Sequence, residues 1–121
     1  DEVIAAFAQA AADAVRIGFD AIELHGAHGY LIDNFFWEGT NQRDDKYGGS
    51  LSKRTRFAVE IMQAIRREIG DDFPMILRFS QWKQQDFEAR LAQTPEELEQ
   101  FLSPLSAFTL AADNCYACGL E

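Results

Sequence analysis

Cysteine is scarce in this sequence of 121 residues, and the two that are present, Cys115 and Cys118, form a single C-x-x-C near its end. A redox motif of this kind opens a helix in a βαβ context, and a zinc site needs a second pair of ligands. The sequence around Cys115 has neither feature. We therefore interpret the two cysteines as incidental thiols.

The sequence also has few basic residues and no long apolar run. The 11 lysines and arginines are outnumbered by 20 acidic residues, for a net charge of −9, whereas binding to phosphates needs a surplus of cations. We therefore expect no nucleic-acid partner, and no apolar run is long enough to predict a membrane span. The sequence opens with Asp1-Glu2 and has no signal-peptide pattern, which predicts a cytoplasmic location. Because it does not begin with Met, we expect a processed or partial product.

What the sequence does contain is an alternation of helical and strand patterns. In chain order these patterns predict a helix over 2–17, a strand over 21–25, a long connection over 25–49 with a short helix at 30–37, a helix over 50–70, a strand over 75–80, a polar connection over 81–93 and a helix from 94. Such alternation implies α/β architecture with parallel strands. Two strands cannot cover their own faces, and a (β/α)8 barrel takes roughly 250 residues. We therefore expect a piece of something larger.

Several local predictions accompany these elements. The first helix is expected to bury an apolar stripe with four-residue spacing, formed by Val3, Phe7, Ala11 and Val15, and the second helix a stripe formed by Phe57, Ile61, Ile65 and Ile69. The start Thr94-Pro95-Glu96-Glu97 combines an N-cap, an N1 proline and an acidic third position. Pro104 is expected to kink or shorten this last helix.

The stretch Tyr47-Gly48-Gly49-Ser50 is similar to a phosphate cradle at the start of a helix. With only two glycines the signal is weak, so a tight turn with Ser50 as helix cap is the favoured interpretation. Arg54 and Arg56 follow in the first turns of that helix. We interpret both as solvated or paired with Asp44 and Asp45.

Alternation along the strands separates two faces. Met75, Leu77 and Phe79 share one face of the second strand, which in a barrel would meet the helices. The opposite faces of the two strands would direct Glu23, His25, Arg78 and Ser80 into the lumen, near the carboxyl rim where such barrels place catalytic groups. A charge inside a strand is costly unless it is paired or used, so an ion pair between Glu23 and Arg78 is the alternative to a functional role for either.

The chemistry-bearing residues cluster just past the first strand, in His25-Gly26-Ala27-His28-Gly29-Tyr30. Imidazole N–H groups can polarise a carbonyl or nitro oxygen, and a tyrosine hydroxyl beside them can act as a general acid. This set suits a substrate whose carbon β to an electron-withdrawing group receives a hydride. No protein side chain delivers hydride, so a cofactor is required.

Two alternatives compete with this interpretation. His25, His28 and Glu23 could bind a metal, but the pair lacks the helical H-E-x-x-H spacing and the chain has no other histidine. Alternatively, His25 is a satisfied buried residue and His28 a loop residue. Because two histidines and a tyrosine lie within six residues at a strand end, we favour a functional role over this structural alternative.

The segments 22–32 and 41–50, followed by Arg54-x-Arg56-Phe57, strongly resemble the old yellow enzyme family of NADH:flavin oxidoreductases. The resemblance covers about residues 1–106 and implies an FMN-binding (β/α)8 TIM barrel, with this stretch around its fourth and fifth strands. It implies that His25 and His28 bind the activating oxygen of the substrate, that Tyr30 donates the proton, and that Arg78 lies near the flavin. NADH or NADPH would reduce the FMN.

The resemblance also sets the limits of what we expect. Residues 1–107 form the barrel piece and 108–121 a tail that departs from the family pattern. The strands that hold most of the flavin are absent, so a homo-oligomer or the missing barrel segments are the expected partners, beside a small-molecule substrate. The segment 35–40 differs from the usual family sequence, which leaves the substrate open. The rival hypothesis is a non-catalytic, truncated remnant that does not hold flavin on its own, and for the isolated chain we expect that outcome.

Overall fold

A computed structural model describes residues 2–108 of the chain. Its elements are α1 (Glu2–Arg16), β1 (Ile22–Gly26), α2 (Leu31–Phe36), α3 (Leu51–Arg54), α4 (Arg56–Ile69), β2 (Met75–Phe79) and α5 (Pro95–Ser106). The predicted alternation of helices and strands is confirmed. Asp1 and residues 109–121, with both cysteines and nearly all of the predicted tail, lie outside the described residues, so the boundary at 107 stays a prediction.

The two strands form a parallel sheet with one covered and one open face. Ile22 pairs with Met75 at one end and Gly26 with Phe79 at the other. Leu24, Met75, Leu77 and Phe79 are buried, whereas Glu23 and His25 are exposed. The separation of faces predicted from strand alternation is therefore confirmed for the polar residues of β1, which lie on the open face, whereas Ser80, predicted to point into the lumen, is fully buried.

The helix α4 covers the apolar face of the sheet. Its buried residues follow the predicted stripe and are Phe57, Ala58, Ile61, Met62, Ala64 and Ile65. The single helix predicted from Ser50 is, however, two helices. Ser50 occupies the N-cap position of α3 without a capping hydrogen bond from its side chain, and Thr55 separates α3 from α4. The Thr55 hydroxyl donates to the Ser52 carbonyl at 2.9 Å, so at this break a side chain bonds the backbone locally.

The buried stripe of α1 differs from the predicted one. Ala8 and Ala11 are buried, but Val3 and Val15 are 45% and 37% exposed. Residues spaced by four drift about 40° around a helix at each step, so a strict four-residue stripe winds off the contact face. The packing of α1 on α4 consequently uses the middle of the helix.

The helix α5 begins as predicted. Thr94 Oγ1 accepts the Glu97 N–H at 3.2 Å, as in a capping box, but the Glu97 carboxylate accepts the N–H of Gln93 at 2.6 Å and not that of the N-cap Thr94. Pro104 does not shorten the helix, which continues to Ser106. Its position near the end limits the damage to the hydrogen bonds of the last turn. No helix within residues 2–108 has both the length and the apolarity needed to cross a bilayer.

Arg54 anchors the long connection between α2 and α3. It is 8% exposed, and it donates from Nε to the Phe36 carbonyl at 2.8 Å and from Nη1 to the Gly49 carbonyl at 2.6 Å. The predicted solvation or pairing of Arg54 with Asp44 or Asp45 is wrong. The Phe36 carbonyl belongs to the last turn of α2, where carbonyls lack helical partners and an arginine can satisfy them.

The turn before α3 depends on a close approach of two backbone segments. A Cβ on Gly48 would lie 1.9 Å from the Arg43 carbonyl oxygen, so only glycine fits without moving the chain. Arg43 itself is ion-paired with Asp45. The Gly48 N–H donates to the Asp45 carbonyl at 3.2 Å, so the predicted tight turn is present, but the Ser50 side chain does not cap the helix that follows.

Candidate functional site

The carboxyl ends of β1 and β2 bring the predicted donors together. The ring centroids of His25 and His28 are 5.4 Å apart, and those of His25 and Tyr30 are 5.2 Å apart. Tyr30 is 61% exposed and His25 is also exposed, so both present their polar atoms at the surface of the open rim. The three side chains can therefore address one small molecule.

The turn that carries His28 has an unusual backbone. His28 has φ 60° and Gly29 has φ 77°, two consecutive residues in the left-handed region. A side chain at this φ is strained, and a Cβ on Gly29 would also meet the Gln85 amide at 2.5 Å. The His28 N–H donates to Ser80 Oγ at 3.1 Å, which ties the turn to the end of β2.

A buried ion pair lies behind this turn. Lys83 Nζ lies 2.5 Å from Asp33 Oδ1 and also donates to the Ser80 carbonyl at 3.1 Å. The other carboxylate oxygen of Asp33 accepts the Gly29 N–H at 2.8 Å. Burial lowers the pKa of the Lys83 ammonium, while the hydrogen bond to Asp33 opposes that shift.

The sequence pattern does not single out either member of this pair. Lys83 follows β2 in a polar run, and only the structure shows that it is fully buried. The sequence offers one signal for Asp33, which is the single charged residue in the mostly apolar stretch 30–37. A charge at such a position requires a partner, because an unpaired buried charge is costly.

Aromatic rings continue the rim beyond the histidines. The Trp82 ring lies 5.4 Å from that of His28 and 5.6 Å from that of Phe87. Phe87 is 73% exposed. These side chains extend an aromatic surface from the polar donors along the loop after β2.

Arg78 and Glu23 form a two-point ion pair on the open face. Arg78 Nε lies 2.8 Å from Glu23 Oε1, and Nη2 lies 3.1 Å from Oε2. The hydrogen bond from Arg78 lowers the pKa of the Glu23 carboxyl, although partial burial opposes it. The pairing foreseen as an alternative is therefore present. Arg78 is also the register partner of His25, so the two residues are neighbours in the sheet, while the guanidinium of Arg78 is bound to Glu23.

The metal alternative gains no support from the arrangement of ligands. Within residues 2–108, no three His, Cys, Asp or Glu side chains come together in a group that could hold an ion. Glu23 is engaged by Arg78 instead.

Comparison with known proteins gives a consistent picture. Residues 1–116 match the NADH:flavin oxidoreductase / NADH oxidase family. An NADH oxidase of Thermoanaerobacter brockii is 51% identical over 80 residues, which cover 66% of this chain and 12% of that protein. An NADPH dehydrogenase of Clostridium acetobutylicum is 44% identical over 102 residues, which cover 84% of this chain and 29% of that protein.

The fold agrees with the sequence comparison. The structure of an old yellow enzyme homologue from Zymomonas mobilis superposes with a TM-score of 0.76 at 29% identity, over 88% of this chain and 30% of that one. The chain thus spans less than a third of the relatives it matches, and its two strands and their helices correspond to part of a (β/α)8 barrel. With most of its length matched, the chain belongs to the NADH:flavin oxidoreductase / NADH oxidase family.

Proposed function

We propose that this chain carries the substrate-binding and proton-donating part of an FMN-dependent NAD(P)H oxidoreductase, which reduces activated C=C bonds in enones, enoates or nitroalkenes. The observation that carries the proposal is the cluster of His25, His28 and Tyr30 at the carboxyl end of β1. Catalytic groups of (β/α)8 barrels lie at this end of the strands.

Each residue of the cluster has a distinct task. The imidazole N–H groups of His25 and His28 bind the carbonyl or nitro oxygen and stabilise the negative charge that develops on it. The Tyr30 hydroxyl then gives its proton to the carbon next to the activating group, as a general acid. Its 61% exposure leaves the hydroxyl free to meet a substrate entering from the open face.

The open face also suits a flavin. FMN, reduced by NADH or NADPH, supplies the hydride that no side chain can deliver. Arg78 would hold the cofactor, because its guanidinium lies on the open face, paired with Glu23, and a cation stabilises an anionic ring. Glu23 fixes the orientation of that guanidinium through two hydrogen bonds.

A hybrid enzyme provides the test. In it, this chain's matching segment replaces the corresponding 102 residues of the Clostridium acetobutylicum NADPH dehydrogenase, whose match covers 84% of this chain. We expect yellow protein whose bound FMN is bleached by NADPH and recovers its colour with 2-cyclohexenone. A hybrid that binds FMN and accepts electrons from NADPH but leaves the enone unreduced would contradict the proposal.

A second proposal concerns the 121-residue chain by itself: it does not retain FMN and associates with itself. The support is that the described residues supply only two strands, so the sheet leaves both edges unpaired. Size-exclusion chromatography with light scattering, followed by FMN addition and desalting, tests this. Colourless oligomers are expected, and a yellow monomer would contradict it. A cytoplasmic location stays a prediction.

A further inference from the structure

The buried pair of Lys83 and Asp33 stands out among the ionisable groups of the described residues. Each side chain is 1% exposed, and their charged atoms are 2.5 Å apart. A buried ion pair usually contributes little more stability than well-packed apolar residues, because both charges lose their hydration. Stability alone is therefore a weak reason for such a pair at the rim of the site.

The hydrogen bonds around the pair lead directly to the turn of His28. Asp33 Oδ2 accepts the Gly29 N–H at 2.8 Å, while Ser80 Oγ accepts the His28 N–H at 3.1 Å. Lys83 binds the same two residues: its ammonium donates to the Asp33 carboxylate and to the Ser80 carbonyl. Both backbone donors of the turn thus end on residues that Lys83 holds.

The strained backbone explains why such a hold is needed. His28 has φ 60°, a strained conformation for a residue with a side chain, which persists only when its surroundings enforce it. Without its acceptors the turn would relax toward ordinary φ values. The His28 imidazole would then leave its place 5.4 Å from His25.

The pair of Lys83 and Asp33 is also close in sequence to two other residues of the site, Trp82 and Tyr30. Trp82, whose ring lies 5.4 Å from that of His28, directly precedes Lys83. Asp33 lies in the first turn of α2, the helix for which Tyr30 is the N-cap residue. One ion pair therefore joins the loops that follow β1 and β2.

We propose that the Lys83–Asp33 pair is a positioning device, which holds the His28–Gly29 turn in its left-handed conformation and thereby aims His28 at the substrate oxygen. The role in catalysis rests on the proposed function, whereas the hold on the turn does not. Lys83 and Asp33 are positioning residues, since neither touches the substrate in this account.

Amide hydrogen exchange on the full chain, followed by NMR, tests the hold. In Lys83→Met and in the milder Asp33→Asn, exchange of the His28 and Gly29 amides should accelerate about tenfold or more beyond the acceleration of the Leu24 and Leu77 amides of the sheet, which report the loss of global stability. In the double variant no charge is left buried without a partner, and the amide oxygen introduced at position 33 can accept the Gly29 N–H, so protection should return. Unchanged turn amides, or equal acceleration throughout the chain, would overturn the proposal.

Kinetics in the hybrid enzyme test the consequence. Asp33→Asn should raise KM for 2-cyclohexenone about tenfold, the effect of misplacing one hydrogen-bond donor, while the rate of FMN reduction by NADPH stays the same. Equal KM values for the variant and its parent would overturn the positioning role. An inactive parent hybrid would instead count against the proposed function, and the exchange measurement would still decide whether the pair holds the turn.

Discussion

Lys83 and Asp33 lie 50 positions apart in sequence, yet their charged atoms meet at 2.5 Å in the interior. The contact joins the loop after β2 to the helix after β1, directly behind His28. The loop after β2 carries the aromatic surface, and α2 directly follows the turn that carries His28 and Tyr30. The geometry of the site therefore depends on a contact that is not part of it.

Removing one member of this pair should be strongly destabilising. Lys83→Met leaves the Asp33 carboxylate buried without its cation, which is expected to cost about 3–5 kcal/mol of unfolding free energy. Urea denaturation followed by circular dichroism measures this. Lys53→Met on the exposed side of α3 is the matched control and should unfold like the parent chain. An equal loss of unfolding free energy in both variants would show that the pair of Lys83 and Asp33 does not stabilise the fold.

Acid should weaken the contact between the strands. The hydrogen bond from Arg78 lowers the pKa of Glu23 below its ordinary 4.5, so the charged carboxylate is favoured in the folded state. The stabilisation is therefore complete above pH 4.5 and is lost as the pH falls through the lowered value. Because both side chains are more than a third exposed, it should stay below about 1 kcal/mol.

The measurement is the difference in unfolding free energy between the parent chain and Glu23→Gln from pH 7 to pH 3. The difference should shrink toward the acid end. Asp45, whose pKa Arg43 and the Tyr47 N–H lower to about 2, is present in both proteins, so its own contribution cancels in this difference. A difference that stays constant with pH would exclude the charged contact.

Local sequence patterns predicted the helices and strands well, but they did not predict the contacts between residues that are distant in sequence. Strand alternation foresaw the two faces of the sheet, and the position of the donors past β1 followed from the strand end. The burial of Lys83 and of Arg54 could not be foreseen, because their partners lie across the fold or on backbone carbonyls. The exposure of Val3 likewise could not be predicted, because it depends on where α4 packs against α1, and the pattern of α1 alone does not contain that information.

The backbone at His28 makes its replacement a sensitive test. His28→Asn keeps an N–H donor, and asparagine tolerates the left-handed conformation better than most residues. His28→Ala removes the donor and keeps the strain. In the hybrid enzyme, kcat/KM for 2-cyclohexenone should therefore fall about 10- to 100-fold in His28→Ala and much less in His28→Asn. The reverse order would contradict the role of His28 as donor.

The turn at Gly48 should tolerate no side chain. In Gly48→Ala the new methyl would fall 1.9 Å from the Arg43 carbonyl oxygen, which forces a backbone shift. The unfolding free energy should drop by about 1–3 kcal/mol. Lys53→Ala again serves as an exposed control. A thermal or urea midpoint equal to that of the parent would show that the loop adjusts freely.

The central claim is that Tyr30 protonates a substrate bound by His25 and His28. Stopped-flow spectroscopy of the hybrid enzyme, with and without Tyr30→Phe, separates FMN reduction by NADPH from reoxidation by 2-cyclohexenone. The account predicts that Tyr30→Phe slows reoxidation about 100-fold or more, the usual contribution of a general acid, while reduction proceeds at the parent rate. Reoxidation at the parent rate in Tyr30→Phe would contradict it.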